Sequence, residues 1–414
     1  MAGHRIHILS AGTWGEMGNQ LAARALASVV EQAGHDIVGC GPIEEIAPLF
    51  ATIGARIRAL TFEAAGPQDR ARRYLSLMNE LAAEVFTPGF ELTGGNPVLA
   101  PTIEAVAEAI GASGADVVIG TKGAITRIAV AAARKLDRPI AVVNHLTNHG
   151  LLRLPIHRAT TAHAHMVQIE EARQEVMAHC DCGPERVFVL GAITAAENLA
   201  AMLTGGRGEA GGPAGRGATM KPVQLVILSN RGGPPFLEIA SLLAASPLAA
   251  RADVVFIDAA DPAAVDAFNA LAARHRLGWR GFGRLSQAEY LAELARLDFA
   301  QVPLLVSKPG PNTVMEALRI GVPCLLLDSG LPMEAWVLDY VRDKGFGSGA
   351  DHPAALVSEL SAIVAGERIP DWRDRIDALR RTLFRPELSV AAAAAAISSA
   401  HRIVHSAEVA LASQ

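Results

Sequence analysis

The 414-residue sequence is poor in cysteine, poor in aromatic residues and without long apolar runs. Its four cysteines, Cys40, Cys180, Cys182 and Cys324, are too few to form a disulfide framework in a chain of this length. Cys180 and Cys182 form an isolated C-x-C pair, which lacks the second ligand pair of a structural zinc site. These features favour a reducing compartment and no metal centre.

The sequence also has no excess of basic charge, since the formal net charge is −5 and the sequence pI is near 6.2. Nucleic-acid-binding proteins usually carry a basic stripe, so no nucleic-acid partner is expected. No stretch of about eighteen apolar residues occurs, and the short run Ile6–Leu9 is not the apolar segment of a secretory signal. We expect a cytoplasmic protein, with peripheral contact to the inner face of a membrane left open.

Half of the residues are hydrophobic, and the chain is longer than one core usually organises, so two domains are expected. The chain opens with a predicted strand, Arg5–Ser10, a glycine-rich turn over 11–18 and a helix over about 19–33. The alternation continues, and a strand predicted at 139–143 precedes a loop with several histidines. Apolar strands that alternate with helices predict a parallel sheet with helices on both faces.

The composition changes over residues 203–220, where seven glycines occur without apolar periodicity. Such a segment is typical of a flexible linker. After it, the strand–turn–helix order restarts with the predicted strand Val223–Leu228. We therefore predict an N-terminal domain over 1–202 and a C-terminal domain over 221–387. A last helix over 388–414 is expected to pack back on the N-terminal domain.

The first turn departs from the dinucleotide-binding motif. Its glycines, Gly12, Gly15 and Gly18, have the spacing G-x-x-G-x-x-G and not G-x-G-x-x-G. The second strand ends at Gly39 and Cys40, with no acidic residue in place for a ribose hydroxyl. Both departures disfavour NAD or FAD as a cofactor.

The most informative segment is 307–327, in which Ser307-Lys-Pro-Gly310 precedes a predicted helix. A turn of this kind directs backbone N–H groups and a helix N-terminus to one place, which suits a diphosphate. Glu316 lies one turn into that helix, where its carboxylate can accept hydrogen bonds from ribose hydroxyls. The alternative is a capping box from Thr313 to Glu316, in which the carboxylate only satisfies its own helix end.

These residues resemble a known donor-site motif. Ser307–Gly310, Thr313, Glu316 and Gly321–Pro323 are similar to the motif of the GT-B family that contains the lipid II N-acetylglucosaminyltransferase, monogalactosyldiacylglycerol synthase and processive diacylglycerol glucosyltransferases. The resemblance implies an α/β fold of two Rossmann-like doubly wound domains that face across a cleft. It further implies that the N-terminal domain binds the acceptor and the C-terminal domain binds the donor.

The resemblance also implies the activity: an inverting, metal-independent hexosyltransferase that uses a UDP sugar as co-substrate and needs no cofactor. The diphosphate contacts implied are Gly310, Pro311, Asn312 and Thr313, with Ser307 before them and Glu316 on the ribose. Further implied donor contacts are Asn230, Arg231 and Gly232 in a glycine-rich loop, Phe282 beside the base and Glu334 on the sugar. Met333 stands where relatives often have Gln, which leaves the sugar open.

An inverting transfer needs a base for the acceptor hydroxyl. Glu16, on the turn after the first strand, is the first candidate, although relatives often have a histidine there. The alternative is that Glu16 only stabilises the helix N-terminus electrostatically. His145 and His149, in the predicted loop after 139–143, are further candidates.

Other interpretations stay open. The acceptor can be a small metabolite or a lipid, and the protein can be a monomer or a homodimer. The mixed apolar and basic segment 150–158 fits either a membrane surface or a buried helix. A nucleotide-sugar hydrolase or 2-epimerase of the same fold is an alternative enzyme, and a non-catalytic partner subunit is an alternative without catalysis.

Overall fold

The computed structural model describes residues 3–12, 16–62, 66–94, 96–194, 223–229, 234–285, 289–290, 293, 296–297, 301–365 and 369–412. The chain divides into two compact units, the first formed by 1–195 with 382–414 and the second by 196–381. The predicted linker, 203–220, lies outside the described residues. The last helix belongs to the first unit.

The first unit contains a six-stranded sheet in which every neighbouring pair is parallel, in the order β2-β1-β3-β4-β5-β6. Its strands are β1 (Arg5–Ser10), β2 (Asp36–Pro42), β3 (Val117–Gly120), β4 (Ala141–Leu146), β5 (Ala164–Val167) and β6 (Val187–Val189). Its helices are α1 (Glu16–Gln32), α2 (Pro48–Phe62), α3 (Pro67–Glu84), α4 (Phe90–Thr93), α5 (Ala100–Ser113), α6 (Gly123–Ala133), α7 (Glu170–His179) and α14 (Pro386–Ala412).

One face of this sheet is covered by α1 and by α14, the last helix of the chain. Small residues of α14 are fully buried against the strands: Ala393, Ala396 and Ala400, together with Ile397. Because alanine side chains are small, the helix backbone can lie close to the sheet. Burial of this apolar surface, which contributes about 25 cal/mol per Å², stabilises the packing of the two segments that form the first unit.

The helix α6 is buried along its whole length and carries one charged residue, Arg127. Its guanidinium makes two hydrogen bonds to the carboxylate of Glu91, at 2.9 and 3.2 Å. The guanidinium carbon also lies 4.7 Å from the centre of the Phe90 ring. A buried charge without a partner is strongly destabilising, so this ion pair is what allows an arginine inside the first unit.

The predicted end of β4 is wrong, because the strand continues from Ala141 to Leu146 and includes Asn144 and His145. Asn144 Oδ1 accepts a hydrogen bond from Thr126 Oγ1 at 2.9 Å. The amide nitrogen of Asn144 lies 3.2 Å from Nδ1 of His165 on the next strand. Since these partners satisfy its polar atoms, Asn144 is tolerated in a buried strand.

The second unit contains another six-stranded parallel sheet, in the order β12-β11-β10-β7-β8-β9. Its strands are β7 (Val223–Leu228), β8 (Ala252–Ile257), β9 (Arg280–Phe282), β10 (Val302–Ser307), β11 (Cys324–Leu327) and β12 (Gly347–Ala350). Its helices are α8 (Pro234–Ala244), α9 (Pro262–Arg274), α10 (Pro311–Ile320), α11 (Ala335–Lys344), α12 (Pro353–Val364) and α13 (Ile369–Leu383), the last of which ends just inside the first unit.

The core of the second unit is built around stacked aromatic rings. Phe268 lies 4.8 Å from Phe256 and 6.0 Å from Trp279, measured between ring centres. The indole N–H of Trp279 donates to the Ala252 carbonyl at 2.8 Å, so its polar atom is satisfied inside the core. In the part of the chain that the structure describes, no helix is both long and apolar enough to cross a membrane.

Candidate functional site

The strand order of the second sheet reverses between β7 and β10, with β8 and β9 on one side and β11 and β12 on the other. In parallel sheets, ligands bind at the carboxyl ends of the strands at such a reversal. Leu228 and Ser307 are register partners, so the loops that follow β7 and β10 begin side by side. Of the first loop, Ser229 is described and buried, whereas Asn230, Arg231 and Gly232 lie outside the described residues.

The loop after β10 leads directly into α10. Gly310 is the residue before the helix and has no side chain of its own with which to cap it. The N–H of Gly310 and the hydroxyl of Ser307 both donate to the carbonyl of Lys308, at 2.7 and 2.9 Å. Pro311, Asn312 and Thr313 form the first turn, and their helix end points to the reversal of the strand order.

The capping-box alternative for Glu316 is wrong. It requires Thr313 before the helix, but α10 begins at Pro311, so Thr313 is already the third helical residue. The carboxyl of Glu316 is partly buried, and burial raises its pKa to about 7. The pKa of Tyr290 is raised, first by burial and then by the charge of Glu316. The phenol of Tyr290 therefore lies near the Glu316 carboxyl. Glu316 therefore remains available to a ligand's hydrogen-bond donors.

Lys308 and Glu334 form an ion pair beside the same loop. The distance from Lys308 Nζ to Glu334 Oε1 is 2.8 Å, and Glu334 is only 6% exposed. The other carboxylate oxygen, Oε2, has no hydrogen-bond partner among the described residues. The pair joins the predicted diphosphate loop to the predicted sugar-contacting loop. Lys308 belongs to the Ser-Lys-Pro-Gly motif, but the sequence alone does not predict its ion pair with Glu334.

Phe282 and Asp258 lie further along the same edge of the sheet. Phe282 ends β9, with its ring centre 5.8 Å from the guanidinium carbon of Arg280. The N–H of Asp258 donates to the Phe282 carbonyl at 3.0 Å. Asp258 is buried, and its Oδ2 has no hydrogen-bond partner in the described part of the chain. Sequence reasoning missed Asp258, whose signal is an acidic residue directly after a buried strand.

In the first sheet the strand order reverses between β1 and β3. After β1, the N–H of Gly12 donates to Glu44 Oε2 at 2.7 Å. Glu16 is the first residue of α1, so the prediction that the turn continues to Gly18 is wrong. An acidic residue is favoured in the first turn of a helix, which explains the early start. The Glu16 side chain lies outside the described part.

The two candidate histidines occupy different environments. His149 begins a short 3₁₀ segment and is buried, and burial lowers its pKa to about 4. The hydroxyl of Thr147 donates to Asn19 Oδ1 at 3.3 Å, so this segment contacts α1 one turn beyond Glu16. His145 lies within β4 and is fully buried, and burial lowers its pKa to about 4 as well. The structure thus brings the segments of Glu16 and His149 together and keeps His145 in the sheet.

The remaining histidines of this region are buried or paired within the first unit. Nδ1 of His163 accepts a hydrogen bond from the Val142 N–H at 2.9 Å, and burial lowers its pKa to about 4. Burial lowers the pKa of His165 to about 3. His157 is fully buried and His179 pairs with Glu175 on α7. Within the described ranges, no three His, Cys, Asp or Glu side chains stand arranged as a metal site.

No family model matches the chain. A processive diacylglycerol beta-glucosyltransferase from Staphylococcus saprophyticus is 30% identical over 82 residues, which are 20% of this chain and 21% of that protein. Solved structures are similar over nearly the whole chain. A UDP-GlcNAc 2-epimerase from Neisseria meningitidis, bound to UDP-GlcNAc, has a TM-score of 0.56 at 11% identity and covers 93% of this chain and 97% of its own.

Two transferases are similar to the same extent. MurG from Acinetobacter baumannii has a TM-score of 0.51 at 14% identity, covering 97% of this chain and 99% of its own. A glycosyltransferase from Rickettsia africae has a TM-score of 0.53 at 12% identity, and the match covers 94% of this chain and 96% of that protein. Together with the two parallel sheets, these likenesses confirm the predicted α/β GT-B fold and the resemblance to GT-B glycosyltransferases.

Proposed function

We propose that the protein transfers a sugar from a nucleotide diphosphate sugar, with UDP as the preferred nucleotide, to an acceptor hydroxyl. The observation that carries this proposal is the N-terminus of α10 at the strand reversal, with Lys308, Glu316 and Glu334 beside it. Helix N–H groups and an ammonium suit a diphosphate, and two carboxyls suit ribose and sugar hydroxyls. The GT-B fold supports the same assignment.

The residues divide the work of an inverting transfer. The first turn of α10 and Lys308 stabilise the negative charge that develops on the leaving diphosphate, so a divalent metal is not required. Glu334 Oε2, buried and without a partner among the described residues, accepts a hydrogen bond from a sugar hydroxyl. Glu16, or His149 in its neutral form, takes the proton of the acceptor hydroxyl as it attacks the anomeric carbon.

A second function has support from one comparison, since the Neisseria meningitidis protein with the same fold is a UDP-GlcNAc 2-epimerase. An epimerase or a hydrolase acts on the nucleotide sugar alone, whereas a transferase needs an acceptor. The short similarity to an enzyme named for diacylglycerol supports a lipid as the proposed acceptor. A small metabolite stays open as the alternative acceptor. Lipid vesicles and soluble alcohols are therefore both included in the test.

The proposed function predicts nucleotide binding and acceptor-dependent turnover. In calorimetric titrations with UDP, dTDP, GDP and NAD, we expect UDP to bind most tightly. UDP release from UDP sugars should then require an acceptor and persist in EDTA.

The variants Glu16→Gln and His149→Gln should separate the two base candidates. The variant that removes the base should lose about 100- to 10,000-fold in rate and keep its UDP affinity. Absence of binding to every nucleotide would refute the transferase and favour a non-catalytic subunit.

Lys308 offers a sharper test of the diphosphate site. Because Lys308→Met alone would leave Glu334 buried without its cation, the variant is paired with Glu334→Gln. We expect the double variant to bind UDP about 10- to 100-fold more weakly, the cost of a lost charge-assisted contact, and to bind uridine as wild type does. Lys344→Met, at a partly exposed lysine in the last turn of α11, is the matched control. An equal loss for uridine would assign Lys308 a structural role.

A further inference from the structure

Four histidines lie together at the amino ends of the first sheet. His4 precedes β1, His35 lies between α1 and β2, and His401 and His405 lie on α14. Their rings follow one another, with centres 5.4 Å apart for His35–His4, 4.3 Å for His4–His401 and 4.1 Å for His401–His405. The proposed sugar-transfer sites use the carboxyl ends of the strands, so this cluster has no part in them.

His401 and His405 are four residues apart and lie on one face of the helix. Their Nε2 atoms are 2.9 Å apart, a hydrogen bond in which one ring donates to the other, so an ion that replaces the proton between them would meet both nitrogens in one small region. At a metal–nitrogen distance of about 2.0–2.1 Å, nitrogens with this separation subtend an angle of about 90° at a shared ion. That is the angle between adjacent ligands in the square-planar or octahedral shells of Cu²⁺ and Ni²⁺.

His4 is placed to supply a third nitrogen. Its ring is tilted by 35° against that of His401 and lies next to it. The backbone N–H of His4 donates to Nδ1 of His35 at 3.1 Å, so His35 holds the backbone of His4 in place. Within the described ranges no three ligands are arranged as a complete set, and His4 would have to rotate its side chain to join the pair.

We propose that His401, His405 and His4 bind one divalent transition-metal ion of the class that prefers imidazole and right-angled ligand geometry, with water in the remaining positions. Imidazole is a common ligand for such ions, and the i,i+4 histidine pair on a helix is a recurrent way to present it. The bound ion would crosslink α14 to the residue before β1 and stabilise the packing of the two. This site is independent of the proposed sugar transfer.

The test is a calorimetric titration of the untagged full chain with Ni²⁺, accompanied by thermal unfolding with and without the ion. We expect one site per chain and a higher unfolding temperature in Ni²⁺. His401→Gln and His405→Gln should each lose at least about tenfold in affinity, since even the removal of an outer-shell partner costs that much. Glutamine is a good helix former, so these variants keep the helix.

His275→Gln is the matched control, because His275 is an exposed histidine of the second unit. Its Ni²⁺ affinity should equal that of the wild type. Equal affinity in wild type and His405→Gln would overturn the site. A loss in both α14 variants without a loss in His4→Gln would overturn the third ligand and leave a two-imidazole site.

Discussion

Replacement of Glu316 by alanine is expected to weaken UDP binding by about 1–3 kcal/mol, the cost of removing hydrogen bonds to a polar group that is shielded from water. The helix start at Pro311 leaves Glu316 free of the capping role that was its alternative. We therefore expect its carboxyl to accept hydrogen bonds from ribose hydroxyls. Calorimetry with UDP and with UDP sugars would measure the loss. Glu359→Ala, at a partly exposed carboxylate of α12, is the control.

The same carboxyl should make UDP binding depend on pH. Burial raises the pKa of Glu316 to about 7, so the free protein is largely protonated there below that pH. Hydroxyl donors favour the ionised form, so UDP binding lowers the pKa and releases a proton. Affinity should therefore rise as pH increases towards about 7 and level off above it, by up to about tenfold per pH unit for one proton.

Titrations in two buffers of different ionisation enthalpy count the protons released. Glu316→Gln should bind UDP more weakly and with little dependence on pH. Affinity that falls as pH rises, or a Gln variant with an unchanged pH profile, would show that Glu316 does not contact the nucleotide. Binding without any pH dependence in the wild type would lead to the same conclusion.

Acid is expected to unfold the first unit before the second. Burial lowers the pKa of His145 and His149 to about 4 and that of His165 to about 3, from 6.5. The unfolded chain takes up protons below about pH 6.5, whereas the folded unit does not until about pH 4. The stability is therefore complete above pH 6.5 and is lost as the pH falls towards 4.

The loss in the free energy of unfolding can be judged from how far the histidine pKa values are lowered. For His145 and His149 the fall in pKa from 6.5 to about 4 corresponds to about 3 kcal/mol each, and the fall for His165 is larger. Three such groups approach the whole free energy of unfolding of a typical domain, about 5–15 kcal/mol. The second unit has only two histidines, His275 and His352, and both are exposed.

Two probes can separate the units during an acid titration. Three of the four tryptophans, Trp279, Trp336 and Trp372, belong to the second unit, so tryptophan fluorescence reports mainly on that unit. Circular dichroism reports on the helices of both. We expect the dichroism signal to fall at higher pH than the fluorescence signal, and His165→Asn to reduce the pH slope by about one proton. Coincident transitions would contradict the prediction.

Part of the fold was predictable because some strands carry their own signal. The predicted bounds of β1 and β7 agree with the structure, since each is a short segment rich in apolar and β-branched residues that precedes a predicted turn. The end of β4 was not predictable in this way. Asn144 looks like a loop residue until its partners are known, and Thr126 and His165 are 18 and 21 residues away.

The helices α2, α3 and α5 were not predicted, although a signal was present. Pro48, Pro67 and Pro101 each lie in the first turn of one of them, a position that favours proline. In the candidate donor site, sequence motifs identified the loop around Gly310 and Glu316 from local spacing. The pairing of Lys308 with Glu334 spans 26 residues, and only the folded chain reveals it.

The first unit is built from two segments that flank the second unit in the sequence, and this has a consequence for its biogenesis. Residues 3–194 leave the ribosome long before α14, so the sheet face that Ala393, Ala396 and Ala400 cover stays bare until the whole second unit has been synthesised. Uncovered apolar surface of this kind is prone to aggregation and is what chaperones recognise. A premature stop codon after residue 381 would keep every residue of the second unit and still leave the first one unfinished.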